Sequence, residues 1–137
     1  MNWIDKYQFI NHTPGGRVFP DIDCWGLVRL IYFDRLHVQL PEFVDFSQAD
    51  MTTPADGLIA DHLFREIEEP EDFCVVCYYR KKILFHVGVY YDGYLLHTTQ
   101  MHGFRRQKLD TFYPSCSRRY YRYAGKCLFT SGSDTSD

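Results

Sequence analysis

The chain has 137 residues, 45% of them hydrophobic and 18% aromatic, which suits one folded domain with a real core and excludes a disordered or fibrous chain. Its formal net charge of -3 argues against a general nucleic-acid binder, which carries a basic excess. No stretch approaches the roughly 20 apolar residues of a membrane-spanning helix, so no membrane insertion is expected.

In chain order, the start MNWIDKYQFI has no basic segment followed by an apolar run, so no signal peptide is expected and synthesis is placed in a cytoplasm. Residues 1–20 form a lead-in with a loop at Thr13-Pro14-Gly15-Gly16. A helix is predicted over 24–35, with Asp21 or Asp23 as its cap and Leu27, Val28 and Ile31 at helical spacing. Cys24 falls on the same stripe. Residues 36–52 look irregular. Thr53-Pro54-Ala55-Asp56 resembles a helix start, and that helix is predicted to run to about Ile67. Strands are predicted over 73–80, 83–91, 94–99 and 118–124. One domain is expected over 1–130, with a mobile tail over 131–137.

Asp92-Gly93 between two strand patterns is a strong two-residue hairpin signal. Such a turn makes Tyr91 face Tyr94, and then Tyr90–Leu95, Val89–Leu96, Gly88–His97, Val87–Thr98 and His86–Thr99 follow. His86, Gly88 and His97 then share one face of the sheet. The two imidazoles become diagonal neighbours, and Gly88, with no side chain, leaves them room. A one-residue slip would separate them.

Cys24, at the start of an amphipathic helix, has two readings. It is a buried structural thiol, among the most buried residue types. Alternatively it is a nucleophile, because the partial positive charge of a helix start stabilises a thiolate and its first N–H groups can hold an oxyanion. If the helix packs on the histidine face, Cys24 comes down beside His86, with His97 behind it, an arrangement that follows the logic of a nucleophile, a base and an orienting group.

These residues resemble a known family. Asp23-Cys24-x-Gly26-Leu27-Val28, then His86-Val87-Gly88-Val89-Tyr90, then His97, is similar to the NlpC family of papain-like cell-wall cysteine peptidases. Within it the chain most resembles small members encoded with bacteriophage tail genes, which typically read DCWGLVRLVY where residues 23–32 here read DCWGLVRLIY. Gly15-Gly16-Arg17, Leu40-Pro41 and Tyr120-Tyr121-Arg122-Tyr123 fit the same subgroup, and the resemblance spans residues 15–124.

The resemblance implies an α+β papain-like fold, with a nucleophile helix packed on a central antiparallel sheet. It implies hydrolysis of amide bonds in peptidoglycan stem peptides, typically between D-glutamate and a diamino acid, with no cofactor. Cys24 would be the nucleophile, His86 the general base and acid, and His97 the orienting residue. Asp23 and Trp25, flanking the nucleophile, would lie at the substrate pocket. Other tail-tip proteins would be partners and the virion tail the location. Three departures stand out: Trp25 replaces a usual Ser, Glu71-Asp72 replaces a frequent Gly-Asp, and Tyr7 is the one early candidate for a site tyrosine found in some members. Two other functions fit the same residues: a structural tail-tip piece without catalysis, or a Cys/His acyltransferase or amidase.

The remaining candidates read as structure. Five Cys (24, 74, 77, 116 and 127) without a signal peptide do not suggest a disulfide framework. Cys74 and Cys77 have metal-like spacing, but in a strand they point to opposite faces, so no metal is expected. The basic runs at 105–108 and 118–122 read as a solvated strand edge, with an anion-binding groove as the alternative. His12, His37, His62 and His102 make no defensible ligand spacing.

Overall fold

A computed structural model describes residues 2–41, 64–81, 83–109 and 116–125. After a short 3-10 helix, Trp3–Phe9, three two-residue strands follow: β1 (Asn11–His12), β2 (Arg17–Val18) and β3 (Asp21–Ile22). They form a small sheet in the order β1-β3-β2, with β1 parallel to β3. Helix α1 (Cys24–Ile31) starts immediately afterwards and runs into a wide π-type turn, Tyr32–Leu36. The turn ends at His37, whose φ of 57° is left-handed and stops the helix close to the predicted point.

The main sheet has six strands: β4 (Phe64–Ile67), β5 (Val75–Arg80), β6 (Ile83–Tyr91), β7 (Tyr94–Thr99), β8 (Gly103–Lys108) and β9 (Ser117–Tyr123). Their order is β4-β9-β5-β6-β7-β8, and every pairing is antiparallel. This is the α+β arrangement expected: a helix packed on an antiparallel sheet.

One predicted element differs from expectation. Phe64–Ile67, predicted as the end of a helix, is a strand paired with Tyr120–Tyr123 of β9. Phe64 is buried against Tyr32 and Tyr123, so ring packing and ladder bonds override the local helical pattern. The rest of that predicted helix, 53–63, and the tail 131–137 lie outside the described residues. The basic run Arg105-Arg106-Gln107-Lys108 belongs to β8, an edge strand, as a solvated edge predicts. Arg106 there lies 3.7 Å over the Tyr94 ring, and in β9 Arg122 makes a two-pronged ion pair with Glu71.

The sheet separates two apolar clusters. On one face Leu27, Val28 and Ile31 of α1 pack with Val75, Cys77, Val87, Val89 and Leu96. On the other, Cys74, Val76, Tyr78, Leu95 and Leu109 form a smaller cluster. Cys74 and Cys77 therefore face apart, as three-residue spacing in a strand requires.

Candidate active site

The hairpin forms as the turn residues dictate. Asp92 and Gly93 both have positive φ, 53° and 86°, the signature of a primed turn. The ladder then pairs Tyr91–Tyr94, Tyr90–Leu95 and Val89–Leu96. A Cβ on Gly88 would lie 2.5 Å from Leu95 Cδ1, 2.9 Å from Leu96 O and 3.1 Å from His97 Cβ. The bare backbone at 88 is what lets β7 approach with its histidine.

His86 and His97 meet. Nε2 of His86 lies 2.9 Å from Nδ1 of His97, with ring centroids 5.1 Å apart at 77°. Beyond His97, its Nε2 lies 3.2 Å from Oε1 of Gln107 on β8. In the β7–β8 register His97 faces Arg105 and Leu95 faces Gln107, so Gln107 is the diagonal neighbour of His97.

Both imidazoles are buried, and His97 has no exposed surface. Burial, then the proximity of His97 and His12, holds the His86 pKa well below the usual histidine value. Burial lowers that of His97 to about 4, with Gln107 opposing the shift and Arg105 reinforcing it. Both rings are therefore neutral at pH 7. Each carries one N–H, which makes the direction of the hydrogen bonds meaningful.

A β-bulge aims His86. Tyr78 pairs with His86 while Tyr79 pairs with Leu84, leaving Phe85 as the extra residue. Leu84 stays in the α1 cluster, and His86 turns toward Tyr78, whose ring centroid is 5.8 Å away. The histidines thus alternate with Val87, Val89 and Leu96, which carry the helix. The expectation that α1 packs on the histidine face is corrected for its apolar stripe; the start of the helix lies near the histidines, because β3, which leads into Cys24, pairs with His12, and His12 is close enough to His86 to lower its pKa. The stripe packs on Val87, Val89 and Leu96, the apolar residues that alternate with the histidines along the strands.

Cys24 opens α1 and is buried. Its helix lies against β6 and β7, the two strands that carry the histidines. The helix direction follows from two contacts. Its far end is tied where Tyr32 O–H donates to the Phe73 carbonyl, beside the end of β6. Its near end brings the Cys24 thiol into the electrostatic environment of Cys77, which pairs with Val87. Cys24 thus shares the buried cluster of Cys77 and Val87, and Val87 is the neighbour of His86 in the chain.

The start of α1 is held by close backbone approach. Asp23 Oδ1 accepts from Gly26 N–H at 2.8 Å as the N-cap, and Oδ2 accepts from Gly15 N–H at 3.1 Å. The Gly15-Gly16 loop is thereby tied to the helix. A Cβ on Gly26 would lie 2.8 Å from Gly16 O, and one on Gly16 2.1 Å from Asp21 O, so a side chain at either position would push the two apart. Asp23 is 1% exposed and Trp25 0%, and the Trp25 indole N–H donates to the Pro41 carbonyl at 3.0 Å. Both were expected at the substrate pocket. Asp23 clamps the loop to the helix, and Trp25 anchors the segment that follows it.

Tyr7 does not join the histidines; it donates to Asp34 Oδ2 at 2.8 Å, and burial raises its pKa. His12, set aside from spacing alone, does come near. It pairs with Ile22 just before the cap, its Nδ1 lies 2.6 Å from Thr98 Oγ1, and it is close enough to depress His86 electrostatically. Gln107 and His12 are thus the residues sequence reasoning missed. Gln107 was hidden in a basic edge run, and His12 reaches the site only through the small parallel sheet.

Among the described residues no group of three His, Cys, Asp or Glu side chains is placed to hold a metal ion. Burial raises the thiol pKa of Cys74 to about 11 and raises that of Cys77 too, so both are inert core groups.

No family model matches the chain, and no curated protein matches it. Among solved structures it is similar to the NlpC/p60 domain of the peptidoglycan hydrolase SagA, with a TM-score of 0.58, covering 85% of this chain and 91% of that one. The identity is 12%, so the likeness is one of fold: this chain has the α+β, papain-like architecture of an NlpC/p60 domain.

Proposed function

We propose that the protein is a cysteine endopeptidase that hydrolyses amide bonds in peptidoglycan stem peptides. The observation that carries this reading is the hydrogen-bonded His86–His97 pair on the two strands against which the Cys24 helix is packed. The NlpC/p60 fold, shared with a domain of a peptidoglycan hydrolase, supports the substrate class. The motif of residues 23–32 supports a bacteriophage or prophage tail as the setting, with other tail-tip proteins as neighbours.

In this reading His86 takes the thiol proton of Cys24 as the sulfur attacks the substrate carbonyl. Backbone N–H groups at the start of α1 hold the resulting oxyanion. His86 returns the proton to the leaving amine, and a thioester remains on Cys24. A water molecule, deprotonated by His86, attacks the thioester; the acid is released and the proton returns to sulfur. His97 holds the His86 ring in place throughout. Because His86 is held neutral, it is available to take the thiol proton as the sulfur attacks.

The test is digestion of purified sacculi, with the new amino termini identified by mass spectrometry, and with Cys24→Ala as control. Fragments with a free diamino-acid amine, absent in the control, are expected. Intact walls, together with a Cys24 that alkylates no faster than Cys116, would remove the reading. One observation favours a second reading, a structural tail-tip component: Cys24 is only 3% exposed. Tight binding to a tail protein without any cleavage would favour it.

A further inference from the structure

We propose that Gln107 is a positioning residue that sets the direction of the His97–His86 hydrogen-bond chain, and with it which nitrogen of His86 can accept a proton. The inference rests on the proposed function only for its chemical consequence; the direction of the chain stands by itself.

The geometry allows two directions. As placed, Gln107 Oε1 faces His97 Nε2 at 3.2 Å, and a carbonyl oxygen only accepts. His97 must then carry its proton on Nε2, which leaves Nδ1 as an acceptor. Nδ1 faces His86 Nε2 at 2.9 Å, so His86 carries its proton on Nε2 and keeps the lone pair on Nδ1. That nitrogen can take a proton from a thiol.

Turning the carboxamide over reverses every step. The amide would donate to His97 Nε2, His97 would hold its proton on Nδ1 and donate to His86, and His86 would be protonated on Nδ1. No base would remain at that nitrogen. His97 has no exposed surface and cannot exchange its partner for bulk water, so the choice made at Gln107 is transmitted inward. Gln107 itself is half-buried on β8, the outermost strand on that side among the described residues.

Two variants separate the directions. Gln107→Glu offers only acceptor oxygens and preserves the chain. Gln107→Met keeps the length and removes the acceptor. Ring 15N shifts of histidine-labelled protein report the tautomer of each imidazole without any substrate. Wild type and Gln107→Glu are expected to show N–H at Nε2 of both His86 and His97, and Gln107→Met a mixture in which His86 gains the Nδ1–H form. Cys24 alkylation at pH 7 should fall about tenfold in Gln107→Met and recover in Gln107→Glu, as for loss and return of a general base. Unchanged tautomers in Gln107→Met, or Nδ1–H on His86 in wild type, would overturn the proposal. Tautomers that follow residue 107 while Cys24 stays unreactive in every variant would leave this inference standing and remove the peptidase reading.

Discussion

The two halves of the site are held by different physics. The cysteine half is a backbone device. The Gly15-Gly16 loop, the Asp23 cap and Gly26 bring main chain against main chain so closely that no Cβ fits. The histidine half is a side-chain device, in which three groups on three adjacent strands pass a hydrogen bond from Gln107 to His97 to His86. The first responds to bulk, because its contacts are main chain against main chain. The second is built from groups whose protonation decides its function. Errors in the backbone scaffold around Cys24, as distinct from its thiol, should therefore appear as lost stability, and errors in the histidine half as lost reactivity or acid sensitivity.

Four experiments sharpen that contrast. The largest effect is expected for Cys24→Ala, which should lower wall hydrolysis by about 10⁴-fold or more while the thermal midpoint stays within a few degrees. Cleavage within tenfold of wild type would show that the thiol is not the nucleophile.

Acid comes next. His97 has its folded pKa lowered from 6.5 to about 4, so the unfolded chain binds its proton at higher pH than the folded one. The stability it contributes is complete above pH 6.5 and is lost as pH falls through about 4, by about 3 kcal/mol. His86 shifts in the same direction and adds to the loss. Urea midpoints measured between pH 7 and 4 should fall, and His97→Gln should flatten the slope; a slope unchanged in that variant would place the acid sensitivity elsewhere.

Gly26→Ala tests the other half. A Cβ 2.8 Å from Gly16 O and 2.9 Å from Ile22 Cβ forces the loop off the helix, which overpacking data place at 1–3 kcal/mol, while the better helix propensity of Ala returns somewhat less than 1. A net loss of about 1–2 kcal/mol with no change in its pH slope is expected from denaturant curves at pH 5 and 7. The smallest effect is Asp23→Ala, about 1 kcal/mol for the lost cap, with Asp23→Asn retaining most of it. Equal losses in the two variants would mean the carboxylate charge, rather than the hydrogen bonds, holds the loop.

Several parts of the site were legible beforehand because short-range rules govern them. The Asp92-Gly93 dipeptide set the hairpin register, and the register brought His86 to His97 across a glycine. Asp23 before an apolar stripe marked the helix start with Cys24 as its first residue. What was not legible lies at long range. Phe64–Ile67 has a plausible helical pattern, and only β9, more than 50 residues away, makes it a strand. Nothing near Trp25 in the chain announces that its indole N–H donates to the Pro41 carbonyl, 16 residues on. Gln107 sat among arginines, and nothing local distinguishes it from a solvated edge residue.

By itself, then, the sequence determined the caps, the turn, the strand periods and the pairing of two imidazoles, because each depends on residues a few positions apart. Only the tertiary structure decided which face α1 covers, which strand supplies the third member of the hydrogen-bond chain, and that His12 stands beside it. Those outcomes depend on burying apolar stripes and satisfying polar groups between segments far apart in the chain, where many pairings are locally equivalent and only packing separates them.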